Sequence, residues 1–184
     1  MTVIAPCDSI EAKKATLAAA KMEGPVYIRL AREKTPVITT EATPFKIGKA
    51  EVYFEPKKGI KSQVGIIACG ALVYNALMAA KELEDEGVGV SVLNLATIKP
   101  LDKKGVLDFA KKHQALITVE EHQVYGGMGS AVAEFLATAH PTSITFIGVQ
   151  DQFGQSGTPD ELIEHYGMGI ASIKKAVKAA IKKK

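Results

Sequence analysis

Residues 64–93 read VGIIACGALVYNALMAAKELEDEGVGVSVL, and this stretch decides the fold. Val64 to Ala68 is a short apolar run, the pattern of a strand buried on both faces. Leu72, Ala76, Ala80 and Leu83 then recur at helical spacing and form one apolar stripe. Gly87 stops the helix, and Val88 to Leu93 is a second buried strand. A strand, a crossover helix and a strand of these lengths make a parallel pair.

The alternation continues downstream. Asp102 opens a helix that turns Val106, Leu107 and Ala110 inward, and Ala115 to Val119 is a third strand. A helix follows Gly129-Ser130, Ile144 to Val149 is a fourth strand, and Asp160 and Gly169 open the last two helices. This order predicts an α/β fold, a three-layer α/β/α sandwich with a mostly parallel sheet. Ligands of such sheets bind at the carboxyl ends of the strands, near a topological switch point.

Upstream the pattern is less regular. Ala50 to Phe54 reads as an edge strand, Pro56-Lys57-Lys58-Gly59 as a turn, and Glu33 to Pro44 as a Thr- and Pro-rich linker. Before it come a strand end at Val3-Ile4-Ala5, a helix to about Met22 that opens on an Asp8/Glu11 capping box, and a strand at Val26–Leu30. The chain therefore divides into residues 1–40, a linker and edge strand at 41–62, and a domain at 63–184. One strand end, one helix and one strand do not cover their own apolar faces. Residues 1–40 are expected to pack poorly, or differently from a setting in which their sheet partners are present, and to leave a strand edge open.

Composition narrows the function. Among 184 residues 47% are hydrophobic and 23% charged, which disfavours disorder. A net charge of +3 is too small to point to nucleic acid, and the lysines of the C-terminal run sit mostly off the Ile173, Val177, Ala180 and Ile181 face of a solvated helix end. Cys7 and Cys69 stand far apart with no CxxC and no Cys/His cluster, so neither a metal site nor a disulfide framework is supported. The uncharged stretch Val64–Ala80 is short of a membrane span, and Met1–Ile4 carries no basic leader. The expected compartment is the cytoplasm.

The segment with most chemistry is residues 118–132, TVEEHQVYGGMGSAV. Gly126, Gly127 and Gly129 permit a tight turn, and Ser130 lies in the first turn of the helix that follows. Backbone N–H groups and a helix N-terminus aimed at one spot favour an anion. The same glycines also serve an ordinary structural turn. His122, beside Glu120 and Glu121, is open to acid/base work, to packing or to a subunit contact. No GxGxxG and no GxxxxGK[ST] accompanies the loop.

Glu120-Glu121-His122 followed by Gly126-Gly127-Met128-Gly129-Ser130-Ala131-Val132-Ala133-Glu134 resembles the C-terminal domain of split transketolases, and is similar to 1-deoxy-D-xylulose-5-phosphate synthase. Phe45–Ala50, Thr97–Asp102, Asp151–Gly157 and Tyr166-Gly167 occur in family order around it. The beta subunits of 2-oxoacid dehydrogenases share the fold but usually lack a histidine after the paired glutamates. Pro6–Glu11 resembles a segment near the end of the family's pyrimidine-binding domain, where alanine is commoner than Cys7, and Gly24–Arg32 resembles that domain's final strand.

The resemblance implies that residues 1–40 are the trailing piece of a pyrimidine-binding domain and residues 63–184 the transketolase C-terminal domain. It implies an intact enzyme that moves a two-carbon ketol unit between phosphosugars, with thiamine diphosphate and Mg as cofactors. An arginine at the position of Arg32 binds the substrate phosphate in this family, a task suited to the planar guanidinium fork; the plain alternative is a surface arginine closing the strand. Glu121, His122, Gly126, Gly127, Gly129 and Ser130 are the candidate anion or interface loop. The family's Gly-Asp-Gly…Asn metal motif and its ring-activating glutamate have no match here, so the chain alone is expected to bind no cofactor and to be inactive. Truncation, internal start and proteolytic product are all open. The partners implied are a second copy in a dimer, an N-terminal transketolase section or subunit, and a phosphosugar, with no nucleic acid and no membrane. The alternatives are the synthase activity, or a non-catalytic interaction or regulatory module with an anion site.

Overall fold

The computed structural model describes residues 1–182, so Lys183 and Lys184 of the basic run lie outside the described residues. In chain order the elements are β1 (Thr2–Ile4), α1 (Ser9–Ala19), β2 (Val26–Ile28), β3 (Glu51–Phe54), β4 (Ser62–Ala68), a 3-10 turn (Gly70–Leu72), α2 (Val73–Asp85), β5 (Gly89–Asn94), β6 (Thr97–Lys99), α3 (Lys103–Ala110), β7 (Ala115–Gln123), α4 (Met128–Ala139), β8 (Ser143–Val149), α5 (Pro159–His165) and α6 (Ile170–Lys182).

The main sheet runs β3-β5-β4-β7-β8. β5, β4, β7 and β8 are parallel, and β3 closes one edge antiparallel to β5. Side chains alternate across a strand, so β4 feeds two cores. Val64, Ile66 and Ala68 join Val73, Ala76 and Leu83 of α2 and Ile173 and Val177 of α6 on one face. Ile67 joins Val106 and Phe109 of α3 and Met128, Val132 and Leu136 of α4 on the other. This is the expected α/β/α sandwich. Each fully buried Ile, Leu or Val contributes about 1.5–3 kcal/mol, so two apolar faces carry the domain. Gly65 on β4 is required by this packing. A Cβ there would stand 2.5 Å from the Phe109 ring and 2.9 Å from His113 and Leu116 side-chain atoms.

A second, three-stranded sheet orders β2-β1-β6. β1 pairs parallel with β2 and antiparallel with β6, a strand that sequence alone does not reveal. Because β6 follows directly on β5 of the main sheet, residues 1–28 are tied to the main-sheet unit by a backbone ladder. Ala5 joins both sheets: its N–H donates to Ala96 O at 2.8 Å, and its carbonyl accepts from Gly70 N at 3.0 Å.

The expectation of poor packing for residues 1–40 is corrected here. Ile4, Ala5, Cys7 and Ala15 are buried, and two buried carboxylates fasten the segment. Asp8 accepts from Glu11 N (2.8 Å), Ile38 N (2.8 Å), Thr39 N (2.6 Å) and the Thr39 hydroxyl (2.8 Å). Glu11 accepts from Cys7 N (2.7 Å), Asn94 Nδ2 (2.7 Å) and the Tyr53 hydroxyl (3.2 Å). Asp8 thus caps α1 as its spacing predicts. Glu11 does not return the bond to Asp8 N but reaches Cys7, so the reciprocal half of the capping box is missing. The open strand edge does exist: β2 has a neighbour on one side only, and Tyr27 is 51% and Leu30 60% exposed. No described helix is long and apolar enough to cross a membrane.

Candidate functional site

Two glycine-bearing turns stand at the carboxyl end of the main sheet, after β4 and after β7. α2 carries the chain from β4 to β5, and α4 carries it from β7 to β8, in opposite directions across the sheet. The switch point, where a doubly wound sheet opens a crevice, therefore lies between β4 and β7. A pocket of about 180 Å³ sits there, lined by Gly70 and Ala71 after β4, Glu121 near the end of β7, and Ala5, Pro6 and residues 29–32 from the first segment.

Arg32 is on the rim of this pocket. Its side chain is 96% exposed, and its nearest carboxylate is Glu33 at 4.0 Å, the limit of an ion pair. Such an exposed pair contributes little, so the guanidinium fork is available. Arg29, half-buried, lines the same pocket and is the residue that sequence reading left without a role. A weak signal existed in its spacing, because two arginines three apart follow a short strand whose end faces the switch point.

The glycine-rich loop closes around an internal carboxylate. Glu120 is buried, and its carboxylate accepts from Met128 N at 2.6 Å and Gly129 N at 2.8 Å. These are the first N–H groups of α4, so the helix N-terminus is already taken by an internal anion. Burial pushes the Glu120 carboxyl above the ordinary glutamate range, against the two backbone hydrogen bonds and the nearby His122 and Arg29, which pull it down. Gly127 is required because a Cβ would collide with the Glu120 carboxylate, and at Gly129 it would stand 2.6 Å from Thr118 Oγ1. Gly126 has φ +71°, and its N–H donates to Ser130 Oγ (2.9 Å), which donates in turn to Val124 O (2.8 Å).

His122 and Glu121 lie outside this knot, both exposed. His122 Nδ1 is 2.8 Å from Gln123 O. Gln123 clamps the neighbouring loop through Nε2 to Gln152 O (3.0 Å) and by accepting from Asp151 N (3.0 Å). The clamp sets Tyr125, 72% exposed, and Phe153, 96% exposed, on the same end of the sheet. Of the six loop residues, the structure brings Gly126, Gly127, Gly129 and Ser130 together around the α4 terminus. Glu121 goes to the arginine pocket and His122 to the exposed surface.

The thiamine diphosphate that the resemblance implies is held through a metal. Among the described residues no group of three His, Cys, Asp or Glu side chains could hold a metal ion, and the α4 terminus is filled by Glu120.

Residues 53–173 match the family described as Transketolase, C-terminal domain. The chain is 39% identical over its whole length to the 6-deoxy-6-sulfo-D-fructose transketolase subunit SqwH of Clostridium sp. (strain MSTE9), and spans 56% of that protein. It is 36% identical over 99% of its length to the transketolase of Rattus norvegicus, of which it spans 29%. A solved structure described as a split gene transketolase, inactive beta4 tetramer, superimposes with a TM-score of 0.91 at 39% identity, over 98% of this chain and 58% of that one. The chain spans little more than half of SqwH and of this solved chain. With its α/β/α sandwich and its ordered landmarks, the chain belongs to the transketolase family and carries the transketolase C-terminal domain.

Proposed function

We propose that this chain is the C-terminal part of a transketolase that moves a two-carbon ketol unit between phosphosugars. An N-terminal section or subunit holds thiamine diphosphate and its magnesium, and the present chain contributes the far end of the substrate site. The observation that carries the reading is the switch-point pocket, where Arg32 meets the carboxyl edges of β4 and β7. Arg32 binds and orients the phosphate of the sugar there by its fork of N–H donors. Residues 1–40 act as the end of the pyrimidine-binding domain, and 63–184 as the C-terminal domain. The likeness to a subunit of a sulfosugar transketolase and to a split gene transketolase supports partnership with a separate N-terminal chain. The exposed Tyr27, Tyr125 and Phe153 serve contacts with that chain or with a second copy. A cytoplasmic, pentose-phosphate setting belongs to the same reading.

The test is reconstitution. Mixed with its N-terminal section, the chain is expected to convert xylulose 5-phosphate and ribose 5-phosphate. Turnover of pyruvate and glyceraldehyde 3-phosphate instead would assign it to deoxyxylulose-phosphate synthase. Alone, it is expected to show no turnover. Calorimetry with thiamine diphosphate and magnesium is expected to show no binding; a micromolar dissociation constant, about −8 kcal/mol, would sink the division of labour. A second reading, a non-catalytic self-associating module, is favoured by the inactive beta4 tetramer that the related structure forms. A reconstituted mixture that stays inactive on both substrate pairs, while the chain sediments as a homo-oligomer, would select it.

A further inference from the structure

The pocket at the switch point holds two arginines, and only one is accounted for. We propose that Arg29 is a second cationic contact for the anionic end of the substrate, paired with Arg32 across one pocket. This inference rests on the reading that the pocket receives that end of a sugar.

Arg29 follows directly on β2, and its backbone is fixed, because its N–H donates to Ile4 O at 2.8 Å. The side chain is half-buried and lines the pocket together with Arg32. Among the described residues no carboxylate lies within ion-pair distance of Arg29. Arg29 acts on the buried Glu120 carboxyl through space without a direct ion pair, and a guanidinium with no ion-pair partner is open to a bound anion. Arg32 is almost wholly exposed at the mouth, whereas Arg29 is half-buried with its backbone N–H held by Ile4 O, so the two differ in how much order they lose on binding. The cavity of about 180 Å³ equals about six waters at about 30 Å³ each, room for a small tetrahedral anion and the first carbon of a sugar. Glu121 also lines the pocket, and its carboxylate repels an anion from its own side. The anion is therefore directed to the arginines and the sugar hydroxyls to Glu121, which orients the chain of the substrate.

The shared chemistry is a tetrahedral oxyanion, and it comes from two sources, a phosphosugar or a sulfosugar. A phosphate dianion gains more from a second guanidinium than a sulfonate monoanion does. Arg29 is thus expected to set preference between them as well as affinity.

The experiment titrates the full chain with inorganic phosphate and with methanesulfonate, read by amide and arginine Nε–H NMR. Phosphate is expected to shift Gly70, Ala71, Glu121 and both arginines. R29A and R32A are each expected to weaken phosphate at least tenfold, and R29K to fall between wild type and R29A. Phosphate is expected to bind more tightly than methanesulfonate in wild type, with the gap closing in R29A. Tighter methanesulfonate binding that R29A weakens would keep the role of Arg29 and assign a sulfosugar. Phosphate binding in R29A equal to wild type, with loss in R32A, would overturn the proposal and leave the transferase reading intact. No shift at the pocket in wild type also overturns it. In the reconstituted enzyme R29A is expected to raise KM for the phosphosugar at least tenfold with kcat within twofold. An inactive wild-type mixture, by contrast, counts against the transferase reading, and the phosphate titration does not depend on it.

Discussion

The two sheets of this molecule are held by different forces. The five-stranded sheet is covered on both faces, and its central strands β4 and β7 are almost wholly buried. The three-stranded sheet has one free edge, and its segment is fastened by the buried carboxylates of Asp8 and Glu11 together with the β1–β6 ladder. The first region is stable because it removes apolar surface from water. The second is stable because polar groups taken from water find partners at well-defined positions. Area is forgiving of small displacements and hydrogen-bond geometry is not, so the two regions should fail differently.

The largest effect is expected from the covered sheet. Ile117→Ala on β7, at 0% exposure, is expected to lower the unfolding free energy by about 2–5 kcal/mol. Denaturant melting should show a lower midpoint for the whole chain. Unfolding of the first segment alone in this variant would break the contrast.

Asp8→Ala removes four hydrogen bonds and leaves three backbone N–H groups and one hydroxyl without their acceptor. A loss of about 2–4 kcal/mol is expected. Hydrogen exchange should accelerate in residues 1–44 while β4, β5, β7 and β8 keep their protection. Uniform acceleration across both sheets would show that the two regions are one cooperative unit.

Acid should separate the regions further. Burial raises the Asp8 carboxyl, but the bonds from Glu11, Thr39 and Ile38 outweigh it and hold the group below the ordinary aspartate range. Its contribution is present above the unfolded value of about 3.9 and is lost as pH falls through the lower folded value. Glu120 has the opposite sign. Its raised carboxyl favours the folded state when protonated, and that contribution is lost as pH rises from about 4.3 through its folded value. Protection factors, with the intrinsic pH dependence of amide exchange divided out, are therefore expected to fall in residues 1–44 below about pH 4 and to rise at the α4 N-terminus. Exchange read at both sites between pH 3 and 7 checks this; a parallel response would refute it.

The smallest effect is expected at the free edge. Tyr27→Lys on β2 is expected to change stability by no more than about 0.5 kcal/mol, since the ring is half-exposed. The substitution should nevertheless weaken association with an N-terminal section, because a charged edge strand resists pairing. Unchanged association in a pull-down would place that contact elsewhere.

Much of this architecture was readable from residues 62–149, and the reason is period. Val64, Ile66 and Ala68, or Ala76, Ala80 and Leu83, reveal their faces by spacing alone, and Gly87 and Asp102 mark ends whose geometry is local. What escaped was non-local. β6 has three residues and finds its partner about 95 positions earlier in the chain. The Asp8 bonds to Thr39 cross 31 positions, and no propensity announces them. At the site, Arg32 and the glycine turn were visible as residue types in a family order. That Glu120 fills the helix terminus was not, because nothing in its neighbours distinguishes a carboxylate facing inward from one facing solvent. Arg29 was passed over for the same reason.

The β1–β6 ladder also has a mechanical meaning. β6 belongs by sequence to one half of the molecule and by hydrogen bonding to the other, so a boundary drawn at the linker is not a hinge. Any swing of residues 1–28 would have to tear a backbone ladder, not flex a loop. The floor of the pocket comes from the main sheet and its arginine wall from the small one. Joined in this way, the two backbones that frame the pocket keep their spacing through a ladder of hydrogen bonds and not through the length of a tether.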